Sequence, residues 1–270
     1  LTIRTWDCIQ LLVGQLSQKR GLSIGGAYEE LLRFAPHGIY DTLRFIFQSY
    51  SKELLKLKEL ENLHVSGVEN LDIDIVKPVE TETIKVKDYL SKALGAYDDG
   101  EYEFSYLDVV KAAGHSCPTV SGAFIMTNEA LKALYPNERA VRGDIKVEFE
   151  EALEDGVAGV VANVISHITG ATDKSGFKGL QGQYARHSLM FFNAKIDSSA
   201  RFTRIDTDTS VDVTYNPSTI LPNPDMQKIM QKMQDGSVTA NEVKEFGVLW
   251  QDRVKRIFEN LDEVVQVEEL

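Results

Sequence analysis

His115 and Cys117 stand two residues apart in the segment Gly114-His115-Ser116-Cys117-Pro118-Thr119. Proline is favoured at the first position of a helix. Val120, Phe124, Thr127, Leu131 and Leu134 then recur at helical spacing, which predicts a helix that opens at Pro118 with Cys117 just outside it. The unpaired amides and the dipole of such a terminus favour an anion, so a thiolate at Cys117 is stabilised there. A soft anionic sulfur beside an imidazole is either half of a transition-metal site or an activated nucleophile with a base at hand. Cys117 and His115 are therefore the candidate catalytic pair.

Four other histidines are present. His37, in a Pro-His-Gly loop, and His64, at a helix end, read as solvated or capping residues. His167 closes a small-residue apolar run just before Thr169-Gly170, where a core histidine bonded to backbone is the simplest reading. His187 is expected to begin a strand after Tyr184-Ala185-Arg186, either on the surface or supporting a site from behind. The stretch 170–182 carries glycines at 170, 176, 179 and 182 together with Lys174 and Lys178. It lacks the Walker spacing, so it reads as a surface loop or as a lid bringing Lys178 or Lys174 to an anionic substrate.

Positioning these residues requires a scaffold of both helices and strands. Residues 1–63 show helical periodicity, with Cys8 beside the apolar stripe of the first helix as buried filler. Residues 71–75 and 83–87 alternate as short strands or an extended connector. Helices are expected over 87–96 and 106–113, and strands over 145–150, 188–195, 201–205 and 211–215. The run 156–168 has the length and alanine content of a buried helix, although its valines leave a buried strand open. Three prolines between 217 and 224 mark a boundary, and a helix pair follows. Its second member opens on the capping box Thr239-Ala240-Asn241-Glu242 and runs to about 261. The acidic tail 259–269 is expected as a solvated helix end or frayed terminus.

The 270 residues suffice for one large domain or two small ones, and the net charge of −12 disfavours nucleic acid and anionic membrane surfaces as partners. No apolar run reaches the length of a membrane span. The first residues, Leu1 to Asp7, lack the basic-then-apolar order of a signal peptide. Two cysteines exclude a disulfide-rich scaffold and any four-cysteine zinc finger; the expected compartment is the cytoplasm.

Several segments, in order, resemble a known family. Gly114-His115-Ser116-Cys117-Pro118 is similar to the Gly-His-x-Cys-Pro signature of the FmdE-like family of formylmethanofuran dehydrogenase components. The segment from Asn163 through His167 and Thr169-Gly170 to Thr172 resembles that family's Asp-Ala-Ile-Gln-x-x-Thr-Gly-Cys-Thr. Gly176-Phe177-Lys178-Gly179 resembles its glycine-lysine-glycine loop, and Tyr184-Ala185-Arg186 its Tyr-Gly-Lys. The resemblance covers about residues 100–215. It implies an α+β core with a mixed or antiparallel sheet and packed helices, homodimeric assembly, and a metal-binding cleft around the signature His and Cys. The organisation expected is a helical N-terminal region with short strands (1–98), the family core (99–216) and a C-terminal helical segment (217–270).

One departure from the family pattern shapes the expected site. The family's cysteine after Thr-Gly is Ala171 here, and four residues earlier, one helical turn away, stands His167. His115, Cys117 and His167 are therefore expected to bind one divalent transition metal: zinc, with iron or nickel as alternatives. Three protein ligands leave a position for water or for a small anionic or carbonyl substrate. Lys178 and Arg186 are the expected substrate contacts, and Tyr184 and His187 the expected supporting groups. Two other classes stay open: a metal-free thiol enzyme with Cys117 as nucleophile, and a non-catalytic accessory or carrier protein.

Overall fold

The structure is a computed structural model that describes residues 79–270. The expectations for 1–75, Cys8, His37 and His64 lie outside those residues. The described chain belongs to one compact unit, Ile73–Leu270, and it is an α+β fold with two sheets.

The first sheet contains β1 (Ile84–Lys87), β2 (Glu101–Phe104) and β3 (Ala140–Val141) in the order β2-β1-β3. β1 runs antiparallel to β2 and parallel to β3. Between β1 and β2 lies a short helix, α1 (Tyr89–Ala93), so the position expected as a domain boundary, 98/99, falls in a connection within one sheet. The expected helix over 87–96 is shorter because Asp88 caps it at the front and Gly95, at φ +72°, turns the chain away behind. β2 alternates in the same way as β1 but is not anticipated from the sequence.

The second sheet has the order β5-β4-β6-β7-β8, built from β4 (Ile145–Phe149), β5 (Met190–Phe191), β6 (Ala200–Arg204), β7 (Thr209–Tyr215) and β8 (Val265–Glu269). Its pairs are antiparallel except β4 with β5, so both sheets are mixed. Ile145, Val147 and Phe149 of β4 point inward and are buried, as their alternation predicts. The strand expected over 188–195 shrinks to two residues. Ser188 and Asn193 both sit at φ +58°, which breaks the extended backbone on either side.

Helices cover the sheets: α2 (Tyr106–Ala113), α3 (Pro118–Leu134) and α4 (Ala158–Thr169), then α5 (Pro224–Asp235), α6 (Ala240–Glu259) and the short α7 (Leu261–Val264). Val120, Phe124, Thr127, Leu131 and Leu134 of α3 are all buried, as their spacing predicts. α3 packs on α4, α6 and β7, which makes it the central element of the described core. Thr239 and Glu242 form the predicted capping box of α6.

The acidic tail is a correction. It does not fray but returns as β8, pairing Val265–Glu269 along β7. The unpaired backbone groups of β7 draw it in, while Glu268 and Glu269 give the new outer edge a charge that opposes further strand addition.

Candidate functional site

The turn between α2 and α3 is held from three sides. α2 begins at a capping box between Ser105 and Asp108 and ends at Gly114, whose φ of +76° turns the chain. His115 follows, exposed, with Nδ1 3.1 Å from the carbonyl oxygen of Ala113. A carbonyl only accepts, so Nδ1 carries a hydrogen, and in the neutral ring the lone pair lies on Nε2. That arrangement suits a base or a metal ligand, whose second nitrogen is commonly fixed by a backbone carbonyl.

Ser116 is tied to α6. Its carbonyl oxygen accepts from Trp250 Nε1 at 2.9 Å and from Gln251 Nε2 at 3.2 Å, and its hydroxyl donates to Gln251 Oε1 at 2.9 Å. Tyr106 completes the cluster, with its hydroxyl 2.9 Å from Ser116 Oγ. Burial pushes this phenol up to about 12, so it remains a protonated donor.

Cys117 is the N-cap of α3, as the sequence predicts. Its Sγ accepts the Val120 amide at 3.4 Å, and the residue is 9% exposed, packed in the core with Val120 and Phe124. The contact satisfies one of the amides left unpaired at the helix start, and the side chain that makes it is turned inward.

His167 occupies the last turn of α4, which ends at Gly170 in a left-handed conformation. Arg142 caps this end, donating from Nη2 to the His167 carbonyl and from Nε to the Ile168 carbonyl, both at 3.1 Å. The imidazole packs edge-on against Phe104, with ring centroids 5.2 Å apart. Burial, then the charge of Arg142, lower its pKa against a smaller opposing pull from Asp108. The ring is therefore neutral at pH 7, with a lone pair to offer.

His115 and His167 line one cleft of about 350 Å³ between α2 and α4, with Asn163 beside them and Val109, Val160 and Val164 as apolar walls. Its size is that of a small-molecule site. Cys117 is not part of its lining. Among the described residues no three or more His, Cys, Asp or Glu side chains converge as a metal-holding group. The two imidazoles expected as ligands thus share a cavity, whereas the thiol is withheld from it by its role as a helix cap.

The expected substrate contacts and supporting groups lie elsewhere. Lys178 is exposed and donates from Nζ to the Lys174 carbonyl. His187 does not begin a strand: its Nδ1 lies 2.9 Å from Ser188 Oγ in the loop before β5. Arg186 and Tyr184 line a second cleft, with Arg142, Gly143 and Asp144. Arg186 is 6% exposed and its Nη2 donates to Asp88 Oδ1 at 2.6 Å.

Asp88 is the residue that sequence reasoning overlooked. Its carboxylate receives the amides of Leu90 and Ser91, the Tyr102 hydroxyl, Arg142 Nη1 and Arg186 Nη2. Burial alone would raise its pKa; the Ser91 amide, the Arg186 charge and the bonds from Arg142 and Tyr102 outweigh that and hold it below the usual carboxylate range. An aspartate before a helical run signals a cap. Nothing in the spacing signals an arginine 98 positions away.

No protein-family model matches the chain, and no curated protein matches it.

Proposed function

We propose that this chain is a metal-binding protein of the FmdE-like type, whose site is the cleft between α2 and α4 with His115 and His167 as its imidazole ligands. The observation that carries the reading is the shared cavity: one imidazole with its tautomer set by Ala113, the other kept neutral by burial, both facing the same space. Neutral imidazoles suit zinc, iron and nickel alike, and zinc is the ion we favour. A metal bound there would supply Lewis-acid polarisation of a small carbonyl or anionic substrate. The chain's own part is to hold the two rings, to present Asn163 as a polar contact and to keep one wall of the cleft apolar. The ordered motif resemblance supports the same reading, along with homodimeric assembly and a cytoplasmic setting.

Zinc titration followed by calorimetry tests this. The full chain is expected to take up one equivalent per chain, and His115→Ala and His167→Ala each to weaken uptake at least tenfold. Undiminished binding in both variants overturns the assignment. Light scattering tests the dimer.

The second reading, Cys117 as a metal-free nucleophile, is favoured by the Val120 amide on its sulfur. It predicts rapid alkylation of Cys117 at neutral pH, unaffected by a chelator, whereas slow alkylation of the native chain rejects it.

A further inference from the structure

The second cleft has a chemistry of its own. Its volume is about 310 Å³, and Arg142, Arg186, Gly143, Asp144 and Tyr184 are among its walls. Two guanidiniums share one carboxylate there: Asp88 lies 3.1 Å from Arg142 Nη1 and 2.6 Å from Arg186 Nη2. Among the described residues neither arginine reaches a second carboxylate within ion-pair distance. Asp88 already accepts two amides and a phenol besides, so its lone pairs are filled. Asp88 is thus matched at contact distance against two guanidiniums, and Asp144, in the same cleft, meets Arg186 only through space.

Arg186 is the less fully paired of the two. Although its side chain is 7% exposed, only Nη2 has a hydrogen-bond partner among the described residues, and the buried Nε has none. A buried donor left unmatched is costly, and a planar fork of N–H groups fits an oxyanion better than any other small ligand. The fork also lies against bare backbone. A Cβ on Gly143 would fall 1.5 Å from Arg186 Nη1, and one on Gly170 would fall 3.3 Å from Arg186 Cδ. The two glycines leave the room that the guanidinium occupies.

We infer that the cleft over Arg142 and Arg186 binds a small oxyanion: the carboxylate or phosphate group of a small molecule. Arg186 supplies N–H groups without a partner among the described residues, Arg142 adds charge, and Asp88 holds both from behind. Asp144, at the exposed rim, limits affinity by repulsion. The inference stands apart from the His115–His167 reading, because Arg186 does not line that cleft. The two clefts are nonetheless joined through Arg142, which spans from Asp88 to the carbonyl of His167.

Calorimetric titration of the full chain with inorganic phosphate, and separately with malonate, tests it and tells the two anion classes apart. Saturable one-site binding of at least one anion is expected. Arg186→Lys, which keeps the charge but loses the fork, is expected to bind about tenfold more weakly. Asp144→Asn, which removes a rim charge without changing shape, is expected to bind several-fold more tightly, and His115→Ala to bind as the unaltered chain does. If thermal unfolding shows that Arg186→Lys fails to fold, Asp144→Asn decides alone. The inference is overturned if neither anion saturates, if Asp144→Asn binds no more tightly, or if His115→Ala abolishes binding.

Discussion

Trp250 Nε1 donates to the carbonyl oxygen of Ser116 at 2.9 Å, tying a helix near the C-terminus to the one residue that separates His115 from Cys117. Gln251 doubles the tie, taking the Ser116 hydroxyl hydrogen and giving its own to the carbonyl. α6 thereby anchors the backbone beside His115.

Removing Gln251 should therefore be felt at His115. Gln251→Ala leaves two partly buried Ser116 groups short of a partner and is expected to cost about 1–3 kcal/mol in urea unfolding. It is also expected to weaken zinc uptake although it touches no metal ligand. Unchanged uptake would show that Trp250 alone suffices to hold the turn.

Asp88 is where charge deletion should hurt most. Asp88→Ala leaves the Arg186 guanidinium buried without the carboxylate it contacts among the described residues and is expected to destabilise by about 3–5 kcal/mol in chemical denaturation. Loss of less than about 1 kcal/mol, the upper end for exposed pairs, would mean the hub is solvated.

The same carboxylate contributes to the acid limit. Its folded pKa is depressed, so its contribution is complete above the unfolded value of about 3.9 and is lost as pH falls through the lower folded value. Unfolding midpoints measured from about pH 5 downward should fall in the native chain and fall less steeply in Asp88→Asn, the remaining slope coming from other depressed carboxylates such as Asp108 and Asp212.

His167 adds a gentler slope at higher pH. Its folded pKa is lowered, so below the unfolded value of about 6.5 the unfolded chain binds the extra proton and stability declines as pH falls toward the folded value. His167→Gln should remove that slope, and zinc uptake by the native chain should weaken over the same window.

Gly122 tests the centre of the fold. A Cβ there would lie 2.2 Å from the Tyr215 ring, whose hydroxyl donates to the Pro118 carbonyl at 2.7 Å. Gly122→Ala is expected to cost about 1–3 kcal/mol by overpacking, and Tyr215→Leu in the same chain to recover part of it. A cost that persists unchanged in the double variant would place the strain elsewhere.

Much of this molecule is legible in its residues. Pro118 after Cys117, with an apolar face recurring behind it, specifies a helix and its cap because both depend on neighbours within a few positions. The capping box at Thr239, the alternation of β4 and the turn at Gly114 are local in the same way. β5 and β8 are less legible. One is cut short by left-handed residues, and the other is an acidic segment whose strand conformation depends on β7 lying beside it.

The sequence by itself determined the α+β scaffold and which residues could donate a lone pair or a charge, since propensity, periodicity and side-chain chemistry are properties of short stretches. Only the tertiary structure decided which of them meet: it set His167 across a cleft from His115, turned Cys117 into the core, and joined Arg186 to an aspartate near the start of the described chain. The reason is that convergence depends on how α2, α4 and the sheets pack, and packing energy is spread over many contacts rather than written at any one position.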